Sequence, residues 1–238
     1  MKTERRFDLV VKADEEEDRG EMMKDSPLPK ISTTKRGQTA YHLWLTSEIK
    51  EASQYDHWYE TLLKAAPDDV VAFHINSPGG YLDTTLQLCD AIQTTPANTV
   101  AFIEGGCCSG ASMIAMMVDR VEMGNFSYIM IHTGSGGEIG KFRNLVESAS
   151  FREKWWHDIM HSVYEGFCTK EEIEEILTGR DLWLDAEESM KRFKRRNDVL
   201  DAREKARESE MKKTAKIVKK ALTSSGVDLT KLAFQVKP

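Results

Sequence analysis

Residues 70–80 read VVAFHINSPGG, an apolar run that ends abruptly in a turn. The run Val70–Ile75 is rich in β-branched and aromatic residues and predicts a buried strand. The residues that follow it include one proline and two glycines, which is a strong turn signal. This stretch therefore predicts one strand of a sheet that leaves through a glycine-rich loop.

The segments on either side of this strand alternate between strand and helix patterns. Further short apolar runs occupy 40–45, 99–103, 121–123 and 128–131, and helical periodicity covers 51–66, 83–93 and 111–118. This alternation predicts an α/β fold with a largely parallel sheet covered by helices. Ligands of such folds bind at the carboxyl ends of strands, which here are the glycine-rich exits at 78–80 and 105–110. Farther along, helices are predicted over 142–167, 170–177 and from 185 to about 222.

The composition bounds the class of protein. The chain has 238 residues, a net charge of −6, 40% hydrophobic and 30% charged residues, which fits one globular domain with appendages. No apolar run reaches the roughly 18 residues that span a membrane, and the charged N-terminus predicts no secretory signal. The four cysteines form no CxxC pair, so neither a zinc ribbon nor a dithiol redox motif is predicted. We expect a cytoplasmic protein.

Charge is distributed unevenly along the chain. Residues 31–190 carry 11 basic and 24 acidic side chains, whereas residues 191–220 carry 13 basic and 5 acidic ones, a net charge of +8. No aromatic residues alternate with these basic residues as they do in many nucleic-acid-binding segments, so we favour a solvated or partner-contacting helix over nucleic-acid binding.

Three residues have the chemistry of a nucleophilic catalyst. Ser109 lies where a strand turns into a buried helix, His132 ends an apolar strand, and Asp181 follows a turn. Taken singly, each has an ordinary structural interpretation, as a helix N-cap, a core histidine and a helix cap respectively. In this order, however, they match the nucleophile, general base and orienting carboxylate of a catalytic triad.

Four motifs in sequence order resemble those of the Clp protease proteolytic subunit family. They are NSPGG at 76–80, the small residues around Ser109, Met-Ile-His at 130–132 and DLWLDAEE at 181–188, within a resemblance that covers about 40–193. The resemblance implies the crotonase-like ββα superhelix with a strand-plus-long-helix handle. It also implies a serine endopeptidase that cleaves polypeptides inside an oligomeric ring, with no cofactor and no metal.

The resemblance also implies roles for individual residues. Ser109 would be the nucleophile, His132 the base and Asp181 the orienting acid. The backbone N–H groups of Gly80 and Gly110 would form the oxyanion hole, and Gly79 and Gly134 would contact substrate.

The sequence departs from the family pattern around the nucleophile. Gly110 stands where the family usually has Met or Ala, so we expect a looser loop there, and Cys107 and Cys108 replace small alanines. We interpret the two cysteines as packing residues rather than nucleophiles. Ser112 is a rival nucleophile, but it lies inside the predicted helix.

The sequence and the resemblance together divide the chain into three parts and suggest its partners. Residues 1–34 are predicted to be a mobile leader, 35–195 the catalytic domain and 196–238 a basic helical extension. The apolar stripe from Phe151 to Val163 is predicted to contact another subunit of the ring. The chain has no Walker motif, so any ATP dependence would come from a separate unfoldase ATPase.

The Trp-bearing segment 179–188 and the basic tail resemble phage and prophage members of the family. That likeness implies cleavage of capsid scaffold proteins during head maturation. Separately, His157 and His161 have the i, i+4 spacing of a helical metal site, but the sequence shows no third ligand, so we favour a polar helix face.

Three alternatives stay open at this point. A crotonase-type acyl-CoA enzyme would use the same fold without the Ser–His–Asp order. A signal-peptide peptidase of the same superfamily would use a Ser–Lys pair and normally a membrane anchor. A catalytically inactive ring or shell protein would keep the fold and lose the activity.

Overall fold

The computed structural model of the protein describes residues 9–10, 29–34, 37–136, 139 and 141–224. Its described strands are β1 (Leu9–Val10), β2 (Lys30–Thr34), β3 (Thr39–Leu45), β4 (Val70–Ser77), β5 (Asn98–Cys108), β6 (Arg120–Met123), β7 (Tyr128–Ile131) and β8 (Leu182–Asp185). Its described α-helices are α1 (Asp56–Lys64), α2 (Leu82–Thr94), α3 (Gly110–Met117), α4 (Phe142–Val163), α5 (Lys170–Leu177) and α6 (Ala186–Ser224).

All eight strands belong to one sheet. The order is β1-β2-β3-β4-β5-β7-β8, and β6 pairs beside β5 off this path. The pairs β3–β4, β4–β5, β5–β6 and β5–β7 are parallel, whereas β1–β2, β2–β3 and β7–β8 are antiparallel. The predicted α/β class with a largely parallel sheet is thus confirmed.

Strand β4 shows why the sheet is buried on both faces. Val71, Phe73 and Ile75 join the main hydrophobic core, which includes apolar side chains of every helix from α1 to α6. Val70 and Ala72 point to the opposite face and join a smaller cluster. Alternation of side chains along a strand produces this division, and burial on both faces explains the continuous apolar run.

Helix α5 is held by a capping box at its start and by hydrogen bonds from α6. Thr169 and Glu172 form a capping box, in which the Thr169 side chain accepts from the Glu172 N–H and Glu172 Oε2 accepts from the Thr169 N–H. Arg192 on α6 donates two hydrogen bonds of 2.8 Å to the Glu172 carboxylate and one of 2.8 Å to Glu188. Phe193 packs on Phe167 with ring centroids 4.8 Å apart. These contacts hold the segment that contains β8 against the domain.

The structure differs from the sequence prediction at several element boundaries. Strand β2 lies within the predicted leader, and β8 was not predicted as a strand. Helix α4 ends at Val163 rather than at residue 167, because a turn follows at Tyr164. None of the described residues between Ile131 and Phe142 belongs to a strand. A strand exists through hydrogen bonds to a neighbour, and this part of the predicted handle has no such neighbour within the described chain.

The chain divides into two compact units, Met1–Phe193 and Lys194–Pro238. In the second unit the described side chains from 201 to 218 are exposed on α6. Most of the predicted leader, residues 1–8 and 11–28, lies outside the described residues, as does the apolar stretch 227–236. Among the described helices, none is both long and apolar enough to cross a membrane.

Candidate active site

Strand β5 carries the first predicted catalytic residue past the end of its neighbour β4. Ile75 pairs with Ile103, but Ser77 pairs with Cys107, so β5 gains two residues in a bulge. Gly106 donates its N–H to Asn76 Oδ1 at 3.0 Å inside this bulge. Through the bulge, β5 changes partner from β6 to β7 and delivers Ser109 to the carboxyl edge of the sheet.

Ser109 has a backbone conformation that L-residues rarely adopt. Its φ is 53° and its ψ is −126°, and it is the single non-glycine residue with positive φ in the described chain. It lies at the junction of β5 and α3, and its N–H donates to Met130 O at 2.8 Å. Its side chain forms no capping hydrogen bond, so the N-cap interpretation of Ser109 is not supported. A strained, half-buried serine at a sharp strand-to-helix turn is typical of a nucleophile elbow.

His132 lies next to this serine. Its Nε2 is 2.7 Å from Ser109 Oγ, which is hydrogen-bond distance between a nucleophile and a base. The contact follows from strand pairing, because Cys108 pairs with Met130 and each chain continues past the pair. The structure therefore brings two of the three predicted triad residues together.

Ser112 has a different environment. It is fully buried, its Oγ lies 2.7 Å from Tyr164 Oη, and it donates to Ser109 O at 2.7 Å. Burial raises the pKa of Tyr164 above its ordinary value, so this phenol is a neutral hydrogen-bonding partner. A hydroxyl with both partners inside the core cannot meet a substrate, which disfavours Ser112 as the nucleophile.

The loop after β4 lies directly against the serine. A Cβ atom on Gly79 would come within 2.6 Å of Ser109 Cβ and 2.8 Å of the Gly110 nitrogen, and Gly79 has a φ of +90°. Gly80 pairs with Ile49 in an isolated bridge, in which Ile49 N–H donates to Gly79 O at 2.8 Å and Tyr81 N–H donates to Ile49 O at 3.0 Å. Both glycines are therefore required by close backbone approach.

Two backbone N–H groups are available at this place. Gly110 is the first residue of α3, where no carbonyl of the preceding turn can accept its N–H. The bridge to Ile49 uses the backbone groups of Gly79 and Tyr81, and leaves the Gly80 N–H without an acceptor among the described residues. The start of α3 adds the positive end of a helix dipole, so this corner suits a developing negative charge.

The loop at Gly110 is tight rather than loose. A Cβ atom on Gly110 would overlap Thr85 Oγ1 and lie 3.3 Å from Ile49 Cδ1. Thr85 is fully buried and donates its hydroxyl to Tyr81 O at 2.9 Å, so it has little freedom to move. The expectation that glycine loosens this loop was wrong, because Thr85 fills the space of the missing side chain.

Asp181 lies on the other side of His132. Ile131 pairs with Leu182 in the antiparallel β7–β8 ladder, so the residues one step beyond are His132 and Asp181. Asp181 is exposed, and within the described residues no hydrogen bond joins it to His132. The ladder brings the third predicted residue to the neighbouring position without completing the contact.

The remaining predicted residues lie around this centre. Gly134 is exposed two residues after His132, and a Cβ on it would rest 3.6 Å from the Trp156 ring. Cys107 and Cys108 are buried, and desolvation raises the pKa of both thiols. Thiols that stay protonated are poor nucleophiles, which agrees with a packing role.

The comparison with known protein families matches this architecture. The family model described as Clp protease matches residues 31–192, from β2 to the first turns of α6. The chain belongs to the Clp protease family. The match includes every element that surrounds Ser109 and His132. It begins at residue 31, so nearly all of strand β2 belongs to the matched region.

Individual Clp protease relatives are moderately distant. The chain is 28% identical over 127 residues to ATP-dependent Clp protease proteolytic subunit 1 of Rhodopirellula baltica, covering 50% of this chain and 53% of the relative. It is 28% identical over 136 residues to proteolytic subunit 2 of Chlamydia trachomatis, covering 54% of this chain and 64% of the relative. The chain thus spans between half and two thirds of these relatives' lengths.

Some residues that build the Clp protease site were missed in the sequence. Asn76 holds the β5 bulge, and Ser77 Oγ accepts the Gly79 N–H at 3.1 Å while donating to Ser47 O at 2.6 Å. Ile49 and Thr85 shape the loop around Gly80 and Gly110. Asn76 and Ser77 lie inside the NSPGG motif, which could have indicated them. No sequence motif marks Ile49 or Thr85.

Proposed function

We propose that the protein is a serine endopeptidase whose nucleophile is Ser109 and whose general base is His132. The observation that carries this proposal is the 2.7 Å separation of His132 Nε2 and Ser109 Oγ at a strained strand-to-helix turn. Helix capping explains neither the positive φ of Ser109 nor the contact. Both are expected of a serine held for attack.

The proposed reaction begins when Ser109 Oγ attacks the carbonyl carbon of a peptide bond. His132 Nε2 accepts the hydroxyl proton and then donates it to the leaving amine. A water molecule then attacks the acyl-enzyme, and His132 repeats the proton transfer in the same order. Asp181 would accept a hydrogen bond from His132 Nδ1 and stabilise the imidazolium.

The tetrahedral intermediate has a negatively charged oxygen that needs donors. The N–H groups of Gly80 and Gly110 supply them, since both are free of other acceptors in the described chain. Such donors contribute roughly 3 kcal/mol each to transition-state stabilisation. Gly79 and Gly134 would contact the substrate backbone on either side of the scissile bond.

Assembly into a ring is the second part of the proposal. The first turns of α4 expose Phe142, Val146 and Phe151, with 90%, 67% and 67% of their surfaces accessible, and Ile139 is fully exposed before them. The last turns bury Met160 and Val163 in the core of the same chain. Of the predicted stripe Phe151–Val163, the end at Phe151 is exposed and the end at Met160 and Val163 is buried. The exposed apolar residues that support a contact with another subunit therefore begin before the predicted stripe, at Phe142 and Val146.

The relatives' printed names include ATP-dependent action, and we extend that to a separate unfoldase ATPase as a partner of this chain. A cytoplasmic location accords with these partners. Cleavage of phage capsid scaffold proteins stays a prediction from the sequence.

Labelling with a fluorophosphonate probe tests the proposed nucleophile. We expect the wild type to label at Ser109, and Ser109→Ala and His132→Ala to abolish labelling. Ser112→Ala, in the first turn of the helix that follows Ser109, should still label and is the matched control. Labelling that persists in Ser109→Ala would exclude Ser109 as the nucleophile. Native mass spectrometry of wild type and Phe142→Glu tests the ring, which the added charge should break.

A further inference from the structure

We propose that His157, His161 and Glu174 form a binding site for a divalent transition metal of the Zn²⁺ type. The two histidines lie one turn apart on α4, and Glu174 lies on α5. The sequence showed no third ligand for the histidine pair, because Glu174 belongs to a separate helix. The fold supplies it.

The ligand atoms of the three side chains converge on one point. His161 Nε2 lies 2.8 Å and His157 Nε2 lies 3.3 Å from the same oxygen, Glu174 Oε1. All three ligand atoms lie within 4.8 Å of one another. Ligands bound to Zn²⁺ at about 2.0–2.2 Å are separated by comparable distances, so small side-chain rotations are sufficient to admit the ion.

The set of donors selects a class of metal. Two imidazoles and one carboxylate are the ligands of many zinc sites, whereas Mg²⁺ and Ca²⁺ require mostly oxygen ligands. Three protein ligands leave a fourth position for water or for a group from another molecule. Among the described residues, no other group of three histidine, cysteine or acidic side chains has its ligand atoms this close.

A second carboxylate, that of Asp158, lies near one of the histidines. His157 Nδ1 lies 3.5 Å from Asp158 Oδ1, while its Nε2 faces Glu174. Metal-binding histidines commonly donate the other ring N–H to a carboxylate, which fixes the tautomer and orients the ring. A small side-chain rotation would bring Asp158 into this role.

The site is accessible without rearrangement of the core. His157 and Glu174 are exposed and His161 is about one quarter exposed, so the ion can enter from solvent. A bound ion would join α4 to α5 and so stabilise the corner between the two helices.

Calorimetric titration of the untagged full-length protein with ZnCl₂, together with Co²⁺ absorption spectroscopy, tests the proposal. We expect one equivalent to bind and Co²⁺ to give the visible absorption of a site with nitrogen ligands. His157→Ala, His161→Ala and Glu174→Gln should each weaken binding more than tenfold, and Asp158→Asn by about tenfold. All four positions are on the surface, so circular dichroism should show unchanged helix content.

His57→Ala and Glu171→Gln are matched controls. His57 lies on α1 and is not one of the three clustered residues, and Glu171 is exposed on the same helix as Glu174. Both should bind Zn²⁺ as the wild type does. No measurable binding, or equal affinity in wild type and the His157 and His161 variants, would overturn the proposal.

Discussion

His132 and Asp181 each lie one residue beyond the last pair of the antiparallel β7–β8 ladder, Ile131 and Leu182. The antiparallel register thus brings the two backbones to the same end of the ladder. Ser109 contacts His132 from the other side at 2.7 Å. Ser109 and His132 therefore follow the ends of β5 and β7, and Asp181 precedes the start of the adjacent β8. Asp181 is exposed, and within the described residues no hydrogen bond joins it to His132.

We predict that Asp181→Asn lowers the turnover of a fluorogenic peptide by about 10⁴-fold, because an amide no longer stabilises the imidazolium. The rate is to be measured on the assembled protein, together with its thermal midpoint. Asp185→Asn is the control. Asp185 Oδ1 accepts the Glu188 N–H at 2.9 Å and caps α6. Asparagine caps a helix about as well as aspartate, so this variant should keep both the stability and the turnover of the wild type. Similar turnover in Asp181→Asn and wild type would remove Asp181 from the mechanism.

Gly79→Ala should abolish most fluorophosphonate labelling. The new Cβ would lie 2.6 Å from Ser109 Cβ and 2.7 Å from Cys108 O, so the loop must move away from the serine. A displacement of about 1 Å at a reacting group typically reduces the rate about 100-fold. Gly37→Ala is the control. Gly37 also has a positive φ, +79°, but an added Cβ would meet nothing within 4 Å, so this variant introduces backbone strain without a clash and should label as the wild type does. Equal labelling rates in the two variants would contradict the steric argument.

Gly110→Ala should destabilise the protein by roughly 1–3 kcal/mol, the usual cost of overpacking a filled core. The added methyl would overlap the buried Thr85 side chain. Thr85→Ala removes that side chain, so the double variant should be more stable than the sum of the single effects allows. Urea denaturation of the four proteins measures the coupling. Strictly additive effects would show that Thr85 does not fill this space.

All four cysteines should resist alkylation by iodoacetamide in the native protein at mildly alkaline pH. They are buried, and desolvation raises the pKa of Cys89 to about 12 and that of Cys107 further. A raised pKa lowers the thiolate fraction at any pH below it, and the thiolate is the reactive form. Mass spectrometry should show no adducts on the native protein and four adducts after denaturation. Rapid native modification that also blocks labelling would revive a cysteine nucleophile.

Much of the fold could be predicted from local patterns. The apolar runs and turn residues gave β4, β6, β7 and α5 close to their observed bounds, because burial and capping are encoded within each segment. Strand β8 was missed, since four residues with an exposed Trp183 become a strand only through pairing with β7. The bulge in β5 was also missed, because it depends on Asn76 from another strand.

The candidate site shows the same division between local and distant information. The order of Ser109, His132 and Asp181 was readable because each residue follows a strand or turn signal. The tight packing of Thr85 on Gly110 and the approach of Glu174 to the α4 histidines were not readable. Both arise between residues that are distant in sequence, and only the folded chain brings them together.

The positive φ of Ser109 limits how the stability of this protein can be increased. A non-glycine residue in that region costs of order 1–3 kcal/mol, which the surrounding strand and helix must offset. Evolution toward greater stability would favour glycine at position 109, and evolution toward catalysis forbids it. The elbow is therefore a site where the two selective pressures oppose each other, and stabilising changes compatible with activity should be sought elsewhere in the chain.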